Sequence, residues 1–106
     1  CNLNLPLPLK SEDPAWLDAI DQGMASIQAY QPKALLVSLG FDAYKGDPSS
    51  DLAVSTEGFR GAGERIGRYD GPIVLIQEGG YSVEKLGENL DAFLDGFMRA
   101  RHPASR

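Results

Sequence analysis

Apolar positions along the chain fall into two patterns that alternate. Residues 34–39 form a short, nearly continuous apolar run, Ala34-Leu35-Leu36-Val37-Ser38-Leu39, closed by Gly40. A second run, Ile73-Val74-Leu75-Ile76, follows Gly71-Pro72 and ends at Gln77. Runs of this kind predict strands buried on both faces, as in a parallel sheet. Elsewhere the spacing changes to three and four residues. Trp16, Leu17, Ile20, Met24 and Ile27 predict one amphipathic helix. Phe59, Ala62, Ile66 and Tyr69 predict a second, and Leu86, Leu90, Phe93, Leu94 and Phe97 a third, with the cleanest stripe. Residues 3–9 alternate with a period of two but contain Pro6 and Pro8, so they predict an edge strand or the lead-in to a loop.

Local punctuation sets the limits of these elements. Asp13-Pro14 reads as an N-cap followed by proline at the first helical position. Pro32 ends that helix and turns Gln31 away from helical geometry. Gly46, Asp47-Pro48 and Ser49-Ser50 mark residues 41–55 as a long loop. Thr56 can cap the second helix. Gly58, Gly61, Gly63 and Gly67 weaken it, each by about 1 kcal/mol relative to alanine. That helix needs tertiary support, for which small residues permit close packing. Ser82 can cap the third helix, and residues 99–106 read as a frayed basic tail.

Strand and helix alternation predicts an α/β fold with a parallel sheet and crossover helices. Two loops, Gly40-Phe41-Asp42 and Glu78-Gly79-Gly80-Tyr81, then fall just past the C-terminal ends of the strands. In open α/β sheets that edge is where ligands bind.

Composition narrows the picture. The 106 residues suffice for one small domain, and 42% hydrophobic with 24% charged residues is ordinary for a soluble protein. A net charge of −5 argues against nucleic acid as partner. No apolar run approaches the roughly 20 residues of a membrane span. No signal peptide is visible, and a cytoplasmic protein is expected. The single cysteine, Cys1, excludes an internal disulfide.

Asp42 follows a buried strand and an aromatic that can anchor the loop. Its carboxylate can bind a metal, orient a base, accept a substrate hydrogen bond, or simply cap local amides. Gly79-Gly80 permits backbone geometry or ligand approach that a side chain would forbid. Tyr81 can donate its phenolic proton to a developing oxyanion, or can be a packed residue after a Gly-Gly turn. Asp47 and Asp51 read as turn or capping carboxylates.

Taken together, Ser38-Leu39-Gly40-Phe41-Asp42-Ala43 and Gln77-Glu78-Gly79-Gly80-Tyr81 resemble the last two active-site motifs of the zinc-dependent histone deacetylase superfamily. The subgroup resembled most is the bacterial acetylpolyamine amidohydrolases. Gly46-Asp47-Pro48, Leu86-Gly87-Glu88-Asn89-Leu90, Phe93-Leu94-Asp95-Gly96-Phe97 and Asn4-Leu5-Pro6-Leu7-Pro8 extend the resemblance over nearly the whole chain. It implies a three-layer α-β-α fold of the arginase/deacetylase type and hydrolysis of an acetyl amide, on a polyamine or a lysine. It implies that Asp42 is a zinc ligand, that Tyr81 polarises the acetyl carbonyl and stabilises the tetrahedral intermediate, and that Gly79 and Gly80 line the acyl pocket. Glu78 would brace the loop. Tyr44 stands where the family commonly has histidine or another polar residue.

The resemblance also implies what these residues lack. The family's zinc site includes an Asp-x-His pair, and its proton transfers use two adjacent histidines, all upstream. Here the one histidine is His102, expected to be solvated. Residues 1–106 are therefore expected to be the C-terminal part of one deacetylase-like domain, cut from a longer protein, as the absent initiator methionine also suggests. Alone, the chain is expected to retain no zinc, to be inactive, and to self-associate so as to cover its exposed strand edges and helix faces. The competing reading is a truncated, non-catalytic paralogue or interaction module. A nucleotide-binding domain finds no phosphate loop or G-x-G-x-x-G turn here.

Overall fold

The computed structural model describes residues 2–102. The elements run α1 (Asp13–Tyr30), β1 (Leu35–Gly40), α2 (Thr56–Gly67), β2 (Ile73–Glu78) and α3 (Val83–Arg101). β1 and β2 pair in parallel, from Leu35 with Ile73 to Gly40 with Glu78, and α2 is the crossover between them. Residues 3–9 join neither strand. They lead into a turn whose Lys10 N–H donates to the Asp51 carbonyl at 2.6 Å. Their two prolines explain the choice between the two expectations, since each removes a ladder donor.

The first two helices begin one step from where the local signals put them. The N-cap of α1 is Glu12, and Asp13 lies inside the helix. Its carboxylate instead accepts from the Ser55 backbone N–H at 2.8 Å and from the Ser55 hydroxyl. Ser55, not Thr56, caps α2, its Oγ accepting from Gly58 N–H at 3.1 Å. The Thr56 hydroxyl donates to Oδ1 of buried Asn89 on α3. Ser82 is the N-cap residue of α3 but makes no side-chain cap bond. α3 runs on through Arg101, so residues 99–101 are helix rather than frayed tail. Arg101 donates to the Tyr69 and Gly71 carbonyls at 2.6 and 2.9 Å and lies over the Phe97 ring. These long-range partners hold the last turn. Residues 103–106 of the expected tail lie outside the described residues.

The glycines that weaken α2 as an isolated helix are what lets it pack. A Cβ on Gly63 would stand 2.1 Å from the Phe93 carbonyl oxygen, and one on Gly96 of α3 would stand 2.1 Å from the Arg60 carbonyl oxygen. The helix backbones touch where a side chain would otherwise separate them. Around this contact Phe41, Val54, Phe59, Ala62 and Phe93 form the core. Trp16 of α1 meets Phe59 edge-on at 5.2 Å. Leu94, expected on the apolar stripe, is exposed and falls off the face that Phe93 and Phe97 share.

The two faces of the sheet differ. Val37, Leu39 and Leu75 pack into the helical core. On the other face Leu36, Val74 and Ile76 are 67%, 55% and 41% exposed. Burial of the strands on both faces therefore does not hold for this chain: among the described residues one helical layer is present and the second is not. No described helix is long and apolar enough to cross a membrane.

Candidate functional site

The strands end level, with Gly40 opposite Glu78 as the last rung. One residue further on, Phe41 N–H donates to the Glu78 carbonyl at 3.3 Å and holds the two loops together. Phe41 turns inward, 5.0 Å from the Phe59 ring, while Asp42 is exposed. The aromatic anchors the loop, as the Gly-Phe-Asp order suggests, and the carboxylate is exposed at the strand ends.

The glycines on both strands leave room for that carboxylate. A Cβ on Gly40 would stand 2.9 Å from Asp42 Oδ1, and one on Gly79 would stand 3.3 Å from Asp42 Cγ. Asp42 therefore lies over both strand ends, against the Glu78-Gly79 loop. Gly79 and Gly80 have φ of 62° and 96°, in the left-handed region where a side chain is strained. A Cβ on Gly80 would also stand 2.8 Å from Leu86 Cδ1 and 3.0 Å from Phe41 Cβ. Tyr81, next along, is 62% exposed at the same edge. Glu78 is exposed and braces the loop through its backbone carbonyl.

Behind this edge the loop from Phe41 to α2 is ordered. Lys45 N–H donates to the Val54 carbonyl at 2.8 Å and Val54 N–H to the Ala43 carbonyl at 3.1 Å, pinching its two arms together. Tyr44 is buried in the core, so its departure from the family pattern is accommodated by packing. At the loop's far end Asp47 is buried, with only 6% exposed. Its Oδ1 accepts from the Ser49 N–H and hydroxyl, and its Oδ2 from the N–H groups of Tyr81 and Ser82. Burial pushes the Asp47 carboxyl up, but the Ser49, Tyr81 and Ser82 hydrogen bonds together hold it below its ordinary value. Asp47 closes the expected turn and also reaches beyond it. Asp-Pro-Ser announces the bonds to Ser49, and nothing local announces those to Tyr81 and Ser82. Asp51 is exposed and contributes its backbone carbonyl to Lys10.

A catalytic zinc ordinarily takes three protein ligands. Among the described residues no group of three or more histidines, cysteines, aspartates or glutamates could hold a metal ion. His102 is exposed at the C-cap of α3. These residues do not fit a zinc ion by themselves; Asp42 is a single carboxylate on an edge that other ligands would have to complete.

The fold has counterparts among known proteins. The chain is 43% identical over 100 residues to the acetylpolyamine amidohydrolase of Burkholderia pseudomallei, a match covering 94% of this chain and 29% of that protein. A crystal structure of the acetylpolyamine aminohydrolase from the same organism superposes with a TM-score of 0.90 at 41% identity, over 93% of this chain and 29% of that one. The HD domain of HDA15 superposes at a TM-score of 0.73 with 20% identity, covering 89% of this chain and 32% of that chain, a likeness of fold alone. The chain thus spans about three-tenths of the length of the curated relatives it matches. The histone deacetylase domain matches residues 1–97. With that match over most of its length, the chain belongs to the histone deacetylase domain family.

Proposed function

We propose that this chain is the C-terminal part of a zinc-dependent amidohydrolase that removes an acetyl group from an amine, with Asp42 as one metal ligand and Tyr81 as donor to the oxyanion. The observation that carries the reading is the convergence of the Asp42 carboxylate on Gly40 and Gly79, at the level where Tyr81 emerges. Family members are generally metal-dependent. When bound, zinc with ligands from outside these residues would supply Lewis acidity and an activated water.

This chain's own contribution is positional. Asp42 is presented at the strand ends by a buried Phe41. The Tyr81 phenol donates a hydrogen bond where charge develops on the carbonyl oxygen. Gly79 and Gly80 allow the acyl group to approach backbone. The relatives' names favour an acetylated polyamine as substrate, with acetyl-lysine as the alternative. A cytoplasmic location belongs to the same proposal. The chain alone would be inactive, without a base for proton transfer.

The test uses the full-length enzyme. Tyr81→Phe is expected to lower kcat by about 100- to 1,000-fold with metal retained, and Asp42→Ala to abolish stoichiometric metal. Near wild-type turnover in the first, or full metal content in the second, removes the corresponding role. A truncated, non-catalytic paralogue is favoured only by the single, exposed histidine. Sequencing the native gene upstream of Cys1 separates the two: Asp-x-His and His-His motifs support the enzyme, a start codon near Cys1 the module.

A further inference from the structure

Asp47 has a use of its second oxygen that a turn does not need. Oδ1 closes the local turn with Ser49 N–H at 2.8 Å and Ser49 Oγ at 2.7 Å. Oδ2 reaches across 34 residues of sequence to Tyr81 N–H at 2.6 Å, and also accepts from Ser82 N–H at 3.3 Å.

Either side of Tyr81 the backbone has its own anchors, Gln77 Nε2 donating to the Gly79 carbonyl at 2.9 Å and Lys85 and Leu86 N–H to the Ser82 carbonyl at 3.0 Å, but the Tyr81 N–H has Asp47 as its partner. Gly79 and Gly80 precede Tyr81 in left-handed geometry, with no side chains to pack. The Tyr81 ring is mostly exposed, so burial does not hold it. Ser82, the N-cap of α3, makes no side-chain cap bond. The buried carboxylate instead holds the two backbone N–H groups just ahead of the helix. The loop that carries Asp47 also carries Asp42, five residues earlier and pinned by the Ala43–Val54 and Lys45–Val54 bonds. One carboxylate thus connects the loop bearing Asp42 to the backbone bearing Tyr81.

We propose that Asp47 is the positioning residue for Tyr81: it fixes the Tyr81 backbone against the Asp42 loop and so sets where the phenol stands relative to the reacting carbonyl. This rests on the reading of Tyr81 as oxyanion donor. Asp47 touches no substrate and acts only through Tyr81. Its lowered proton affinity keeps it an acceptor for all four donors at neutral pH.

The experiment is a double-mutant cycle in the full-length enzyme, with N-acetylputrescine as probe substrate. Asp47→Asn keeps the shape but turns one acceptor into a donor. A fall in kcat of about 10- to 100-fold is expected, the scale of a misplacement near 1 Å. KM and metal content should stay unchanged. On a Tyr81→Phe background the same substitution should cost much less, because the two act as a unit. An equal loss on both backgrounds overturns the proposal. If Tyr81→Phe alone leaves kcat near wild type, the reading of Tyr81 has failed, and the positioning role falls with it. Hydrogen exchange on the wild-type enzyme tests the same contact without a variant. The Tyr81 and Ser82 amides should exchange at least tenfold more slowly than that of Gly80. Equal exchange overturns the proposal even if Asp47→Asn does not fold.

Discussion

The α2–α3 contact and the outer face of the sheet are opposite cases of the same apolar chemistry. Between the helices, Gly63 and Gly96 bring backbone against backbone, and Phe59 and Phe93 are fully buried. On the outer sheet face, Leu36 and Val74 are more than half exposed. An apolar side chain therefore does not report its own burial; the layer opposite it decides. One side of this chain is finished, and the other has the surface of an interior without its cover.

The packed side should break first. Gly63→Ala places a methyl group into the Phe93 carbonyl, and overpacking of this kind costs about 3 kcal/mol. Urea unfolding of the chain should show the loss as a lower midpoint at unchanged slope; an unchanged midpoint would mean the helices can part cheaply. Asp47→Asn should cost about 1–3 kcal/mol at neutral pH by leaving buried donors without an acceptor. Its pH dependence has a definite sign. The folded carboxyl lies below its ordinary value, so its contribution is present above about pH 4 and is lost as pH falls through the folded value. The wild-type and variant stabilities should converge in acid, and parallel curves would remove the linkage.

The open side should respond in association rather than in stability. The double substitution Leu36→Thr with Val74→Thr should shift sedimentation of the isolated chain toward monomer, with only a small change in unfolding midpoint. Self-association that survives it would place the contact at the strand edges or elsewhere. The smallest effect is expected at Gly87, where a Cβ meets nothing within 4 Å. Gly87→Ala should stabilise α3 by about 0.5–1 kcal/mol, a difference visible in thermal unfolding. Set beside Gly63→Ala, it gives one substitution with opposite signs in two environments.

Periodicity made the three helices and two strands legible, because burial of one stripe is a property of each segment alone. The strand-end location of Asp42 and Tyr81 followed from element order. What sequence could not carry was the partner across space. Asp13 and Thr56 look like caps and neither serves as one: the Asp13 carboxylate is taken up by Ser55, which itself caps α2. Asp47 looks like a turn residue, and its bond to Tyr81 spans two intervening elements. Arg101 looks like part of a basic tail until the Tyr69 and Gly71 carbonyls are seen beside it.

The parallel ladder between β1 and β2 also bears on how the chain folds. Every rung, from Leu35–Ile73 to Gly40–Glu78, joins residues on opposite sides of the whole α2 crossover. Such pairing cannot start as a hairpin; the loop-closure entropy is spent before any rung forms. During synthesis the β2-facing edge of β1 therefore emerges first and is completed only after the whole α2 crossover has followed. Until then that edge keeps its backbone N–H and C=O groups free to pair elsewhere.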